Sequence, residues 1–228
     1  MKAKKLSQEF YLRKDVLKIT EELIGKFLVT NFNNELTSGM IVEAEAYNGP
    51  VDKASHAYNN RRTKRNEVMY ATGGVAYVYL CYGIHHLFNV VTNQEGIPHA
   101  ILIRAVIPTD GVQVILKRRK PRNSAGSRRI AGQNKIAKKI SDGPGTLSTA
   151  LGITTVHSGV PLSEDLIWIE DRGIKFKKKD ILTSARIGID YAGEDAKLPY
   201  RFRLKEEIIS DLLRAISCTD FSIFYPPK

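Results

Sequence analysis

The sequence predicts an α+β fold built on a largely antiparallel sheet. Three observations predict it. Apolar residues recur at period two through the middle of the chain, Gly, Pro and Asn separate these runs by short connections, and helical spacing is concentrated towards the two ends. The 228 residues suit one large domain or two small ones, and no repeat, low-complexity tract or linker divides them.

The elements follow in order. Ser7-Gln8-Glu9-Phe10 offers a cap before an apolar run. Val16, Leu17, Ile19, Leu23, Ile24 and Phe27 then recur at roughly helical spacing, which predicts a helix over 15–28. After Gly39 the period becomes two, so 40–47 reads as a strand, closed by Asn48-Gly49-Pro50. Residues 75–82 form another strand, Tyr82-Gly83 marks a turn and 87–92 returns, a hairpin with its tip at those two residues. Residues 100–107 form a continuous apolar strand ending at Pro108, and Gly143-Pro144-Gly145 opens a helix through Leu151. Strands over 166–169 and 200–203 and a helix over 205–216 complete the pattern.

Charge and cysteine content narrow the function classes. Lys and Arg number 35 against 24 Asp and Glu, a net charge of +11, which favours a polyanionic partner, and nucleic acid first. Between Lys117 and Ser141 ten basic residues stand with no acid, among them Arg118, Arg119, Arg128 and Arg129. Arg61, Arg62, Lys64 and Arg65 make a second cluster, and 175–179 a third. Each alone reads equally as a solvated face; three of one sign favour a phosphate track. No apolar run of membrane-spanning length occurs, and the basic N-terminus lacks the apolar stretch of a secretory signal. Two cysteines far apart, Cys81 and Cys218, speak against a disulfide scaffold or a cysteine zinc site and for a reducing, intracellular compartment. His85-His86 has no third ligand, so neither metal nor cofactor is expected.

Strand alternation puts Glu43, Glu45 and Tyr47 on one face of 41–47 and Val42, Ala44 and Ala46 on the other. The plain reading is a half-exposed strand with a wet acidic face. The sharper one is a carboxylate desolvated by an aromatic wall and able to act as a base. Arg104, inside an apolar strand, keeps its charge and therefore needs an acidic partner, structural or catalytic, and Glu45 is the functional choice. Tyr77 and Tyr79 share a strand face and fit a core as well as a site. Tyr82, at a hairpin tip beside Gly83, fits a nucleic-acid stack better than a core. His56 is a lone histidine after a Gly-Pro turn, a type more often structural than functional.

Glu43-Ala-Glu45-Ala-Tyr47, Gly49-Pro50, Asp52, His56, Thr63-x-Arg65-Asn66-x-x-Met69, Tyr77-Val-Tyr79-x-x-Tyr82-Gly83, Asn89-Val, Leu102-x-Arg104-Ala, Gly143-Pro-Gly and Ala185-Arg186-Ile187-Gly188 together resemble the 3-methyladenine, or alkyladenine, DNA glycosylase family. The resemblance implies a single domain with a curved antiparallel sheet, flanking helices and a protruding hairpin, its core over about 15–204 and an extension of unassigned role over 205–228. It also implies an intracellular monomer acting on double-stranded DNA that carries a damaged purine. Glu45 would activate water, with Arg104 and the carbonyl of Ile187 holding that water. Tyr47, His56 and Tyr79 would enclose the extruded base, and Asn89 would exclude normal guanine. Tyr82 would wedge into the duplex, flanked by Thr63 and Met69, while Arg65, Arg118, Arg119, Arg128 and Arg129 would meet DNA. Lys64, Ala71-Thr72 and Thr146 depart from the family pattern, the last removing a lysine common after Gly-Pro-Gly.

Two other classes stay open at this point. A glycoside hydrolase could pair Glu43 with Glu45, whose Cα atoms would lie roughly 6.5–7 Å apart along a strand, but both acids would then sit on one side of the sugar. A non-catalytic nucleic-acid-binding protein needs the basic clusters but not Glu45, Arg104 and Tyr82.

Overall fold

The computed structural model describes residues 3–119 and 143–218. Among these, nine strands form one open sheet in which every strand pairing is antiparallel, with helices packed on it. The strands are β1 (Lys4–Lys5), β2 (Phe27–Phe32), β3 (Glu35–Tyr47), β4 (Ala76–Cys81), β5 (His85–Thr92), β6 (His99–Asp110), β7 (Ile167–Asp171), β8 (Ile181–Ser184) and β9 (Arg201–Leu204). The helices are α1 (Gln8–Tyr11), α2 (Val16–Leu23), α3 (Val112–Arg119), α4 (Pro144–Leu151) and α5 (Glu206–Cys218). The order across the main sheet is β1-β7-β2-β3-β6-β5-β4.

Strand β3 organises the molecule. One of its edges pairs with β6 throughout. Its other edge pairs first with β2, over 35–40, and then with β9, over 43–45. The main core, with Phe27, Met40, Ile41, Phe88, Ile101, Ile103 and Leu147, buries the apolar face. A smaller cluster of Met69, Tyr70, Tyr77, Val91 and Ala100 sits under the hairpin side of the sheet.

Several boundaries differ from the sequence reading. The helix predicted over 15–28 stops at Leu23, and Phe27 and Leu28 begin β2 instead. Ile24 is extended and Gly25 takes φ +89°, a value most side chains avoid, so the chain reverses there and the apolar spacing carries on into a strand. The start of α2 is as read, with Asp15 Oδ1 accepting from the Lys18 N–H at 2.9 Å. Strand β6 runs past Pro108 to Asp110. The register skips Thr109 between the Gly39–Pro108 and Ser38–Asp110 pairs, and a bulge is where a residue lacking an N–H is tolerated within a sheet. Helix α3 lies in the basic stretch, where the sequence shows only a cluster of charge, and β2 and β8 have no counterpart in the sequence reading. α5 occupies most of the expected helix over 205–216.

Candidate active site

Two compensating bulges shape the floor of the site. Ile41 pairs with Val106 and Glu43 with Ala105, so Val42 is skipped on β3. Ala44 then pairs with Ile103, so Arg104 is skipped on β6. Such bulges re-aim side chains without losing the overall register. Here they accompany an Arg104 guanidinium that reaches two carboxylates: Nε donates to Glu43 Oε1 at 2.9 Å, and Nη1 lies 3.3 Å from Glu45 Oε1.

Glu45 is wholly buried, 0% exposed, and Glu43 nearly so, which overturns the wet-face reading of this strand. Three donors hold the Glu45 carboxylate. The Ile187 N–H donates to Oε1 at 2.9 Å, Tyr47 Oη–H donates to Oε2 at 3.0 Å, and Arg104 supplies the positive charge. Burial raises its pKa above the ordinary carboxylate value, and Arg104, the Ile187 N–H and the Tyr47 hydroxyl offset only part of that. Ile187 thus meets Glu45 through its amide N–H, a contact the sequence reading did not include. Glu43 has a different environment, touched by Arg104, by Arg201 Nε at 2.7 Å and by Arg203 Nε at 3.5 Å. One carboxylate among three guanidiniums serves as their shared counter-charge.

A cavity of about 430 Å³ opens beside these groups, lined by Tyr47, His56, Tyr77, Tyr79, Asn89, Arg104 and Ile187 among others; Glu45 lies behind Tyr47, Arg104 and Ile187, which touch it and face the cavity. Its volume falls within the range of small-molecule sites. His56 meets Tyr79 edge-on at 4.7 Å between ring centroids, and Tyr77 and Tyr79 lie 5.5 Å apart. Tyr77, which the sequence does not separate from a core residue, serves both purposes: it is buried and its hydroxyl lies 2.8 Å from His56 Nδ1. Burial, with Arg65 and Arg61 nearby, pushes the His56 pKa down to about 4, so the ring is neutral at pH 7. Asn89 Nδ2 donates to the carbonyls of Tyr77 and Leu87 at 3.1 and 3.2 Å, which uses both amide hydrogens and leaves its oxygen to accept.

The hairpin forms the rim. Tyr82 and Gly83 both have positive φ, 49° and 72°, and the Ile84 N–H donates to the Cys81 carbonyl at 3.1 Å. The turn has therefore begun before Tyr82, so strand parity does not decide where that ring points. A tyrosine in the left-handed region costs about 1–3 kcal/mol, a type of strain that clusters at functional sites. Its side chain is 91% exposed. Tyr191, 70% exposed, lines the same cavity and donates its hydroxyl to the Ala54 carbonyl at 3.0 Å. No sequence signal singles it out. Arg65 stacks over Tyr79 at 5.0 Å and lines the cavity.

The remaining predicted residues are more scattered. Thr63 is exposed, with its N–H and hydroxyl both donating to Asn66 Oδ1. Met69 lines the cavity but is buried in the cluster beneath Tyr77, closed to a duplex surface. Arg118 belongs to α3 and reaches Glu35 and Thr37, at the opposite end of β3 from Glu45. Arg119 ends the same helix, and Arg128 and Arg129 lie outside the described residues.

The sequence reading also misses a buried pair beside the floor. Arg186 bonds both oxygens of Asp52, and its guanidinium lies over the Tyr47 ring at 4.8 Å. Among the described residues no group of three metal-ligating side chains occurs, and no helix is long and apolar enough to cross a membrane.

The model of one protein family, methylpurine-DNA glycosylase, matches residues 9–208. A Chlamydia felis protein provisionally named a 3-methyladenine DNA glycosylase is 45% identical over 199 residues, 87% of this chain and 95% of its own length. Proteins of the same provisional name from Alkaliphilus oremlandii and Clostridium perfringens are 39% and 38% identical, each over 89% of this chain and 96% of their own length.

Proposed function

The chain belongs to the methylpurine-DNA glycosylase family, a hydrolase of N-glycosyl bonds acting on alkylated bases in DNA, and from that premise we propose that it flips a damaged purine out of duplex DNA and cleaves it with a water activated by Glu45. The observation that carries this reading is one buried carboxylate, held by Ile187, Arg104 and Tyr47, beside an aromatic cavity with a strained tyrosine at its rim.

A purine inside a duplex offers no accessible anomeric carbon, so the nucleotide must leave the stack at a cost of a few kcal/mol. Insertion of Tyr82 fills the gap and offsets part of that cost. Phosphate contacts from Arg65, Thr63 and the basic clusters offset more. The extruded base stacks between Tyr47, His56 and Tyr79. A cationic alkylpurine gains roughly 0.5–2 kcal/mol there from the aromatic faces, and its charge makes it a good leaving group. Asn89, its amide fixed by the carbonyls of Tyr77 and Leu87, helps exclude normal guanine. Bond cleavage leaves a sugar cation, which the Glu45 carboxylate stabilises while taking a proton from the attacking water. With water as the nucleophile, the reaction releases free base and leaves the strand uncut. It acts as a monomer, one lesion at a time.

Release of free base from duplexes holding 3-methyladenine, 7-methylguanine, hypoxanthine or ethenoadenine tests the reading, and no release from any of them would end it. The wedge has its own test. Tyr82→Ser is expected to weaken lesion capture about tenfold, the scale of one missing aromatic stack, and to leave affinity for undamaged duplex unchanged. Equal losses on both would remove Tyr82 from flipping.

The phosphate track is read from salt dependence. Arg65→Gln is expected to flatten the slope of log K against log salt by about 0.9 for each phosphate that is no longer neutralised. Arg118→Gln alone should leave the slope unchanged, because that guanidinium is already taken by Glu35 and Thr37. A flatter slope in Arg118→Gln would put α3 on the DNA.

The glycoside-hydrolase alternative needs Glu43 as a second acid, and its three arginine neighbours argue against that role.

A further inference from the structure

We propose that the buried Asp52–Arg186 pair is a positioning element for the reaction, holding the Ile187 N–H on Glu45 and the Tyr47 ring against the bound base. The proposal rests on Glu45 being the base. Arg186 and Asp52 are 0% and 1% exposed at their side chains, so the pair is sealed from solvent. Arg186 precedes Ile187 directly. Its Nη1 donates to the Ala46 carbonyl at 2.9 Å, on the strand residue between Glu45 and Tyr47. Its Nη2 donates to Asp52 Oδ1 at 2.8 Å and to the Asp195 carbonyl at 3.3 Å. The face of the guanidinium lies between two rings, Tyr47 at 4.8 Å and Tyr200 at 5.2 Å.

One side chain therefore joins the Ile187 segment, β3 and the Tyr47 ring. It pins the segment bearing Ile187 to β3 at the residue next to Glu45, and it supports Tyr47 from behind. Asp52 extends the frame in the other direction. Its carboxylate also accepts from the N–H groups of Asn48 and Ala54, both at 3.0 Å, and so shapes the turn that leads from β3 towards His56. A planar fork with several fixed donors can make these contacts together, whereas a lysine is a single point charge and cannot.

The charged and titratable groups around Glu45 are Glu43 and Tyr47 on β3, Arg104 on β6, Arg201 on the β9 edge, and Arg186 with its partner Asp52. Two variants separate geometry from charge. Arg186→Lys keeps the charge and loses the fork. Asp52→Asn removes a negative charge, which by electrostatics alone would make Glu45 more acidic, but it loosens the frame, which would free the Ile187 N–H and make Glu45 less acidic.

The readout is single-turnover release of 7-methylguanine against pH. Its fixed positive charge removes any need for leaving-group protonation, so the acid limb reports on the base. Loss of one hydrogen bond to the carboxylate is expected to move that limb up by about one pH unit in Arg186→Lys, and up by less in Asp52→Asn, where the lost negative charge pulls the other way. An unmoved limb, or a downward shift in Asp52→Asn, would overturn the proposal and leave the pair a stability feature seen only in melting temperature. Asp52→Asn keeps the side-chain volume and one acceptor oxygen, and it decides the matter if Arg186→Lys does not fold. Glu45→Gln runs alongside. Wild-type excision by that variant would overturn the base reading and this proposal with it, whereas an inactive Glu45→Gln with unmoved limbs would overturn the positioning role alone.

Discussion

Glu45→Gln is expected to slow single-turnover release of 7-methylguanine about 10³-fold, within the range supplied by a positioned base, while lesion binding stays within a few-fold of wild type. The amide has nearly the shape of the carboxylate. Its oxygen can still accept from the Ile187 N–H, and the Tyr47 hydroxyl, which now donates to Oε2, can turn to accept from the new NH₂ group. Arg104 keeps Glu43 as counter-charge, so no cation is stranded. The variant should also be as stable as wild type at pH 7, or more so. The Glu45 pKa is raised in the folded state, so folding favours the protonated form, and the ionised form opposes folding at pH values above the unfolded-state pKa. A neutral glutamine lacks that cost. Stability at the expense of activity is the usual signature of a strained functional group. Thermal melts at pH 7 and gel-shift affinity for a lesion duplex check both halves, and wild-type excision rates would remove Glu45 from the chemistry.

Arg104→Met is expected to cost about 10²-fold in excision at neutral pH, the scale of removing one electrostatic stabiliser from a closed site. The Arg104 charge is the largest influence lowering the Glu45 pKa, so its removal leaves the carboxylate less ionised at any given pH. The loss should therefore shrink as pH rises and the base ionises again, because a carboxylate with a raised pKa regains its charge above that pKa. What persists at high pH is the loss of the group that orients the Glu45 carboxylate and, in the proposed reaction, its water. Stability should fall by less than the roughly 3–5 kcal/mol typical of a broken buried pair, because Glu43 retains Arg201 and Arg203. A pH-independent loss would assign Arg104 to orientation alone, without influence on the ionisation of the base.

Much of this site is legible in one dimension because strands advertise themselves. The alternation over 41–47 puts Glu43, Glu45 and Tyr47 on one face, and an arginine in an apolar strand demands an acidic neighbour. The hairpin tip at Tyr82-Gly83 follows from turn chemistry, since few residue pairs tolerate the positive φ values observed there. Helix limits are less legible, because α2 ends at a backbone reversal at Gly25 while the apolar spacing continues into β2.

Local pattern and ordered motifs determined the fold class, the acidic face of β3, the aromatic strand, the exposed tip and the family likeness, because each depends on residues a few positions apart. What distinguishes the surroundings of the two carboxylates was decided by tertiary structure. Strand alternation alone treats Glu43 and Glu45 alike, and their surroundings differ only where β9 brings Arg201 and Arg203 to Glu43 and the segment after β8 brings the Ile187 N–H to Glu45. The Asp52–Arg186 pair, 134 residues apart in sequence, was equally invisible. Desolvation and charge pairing are sums over every nearby atom, and most of those atoms arrive from distant parts of the chain.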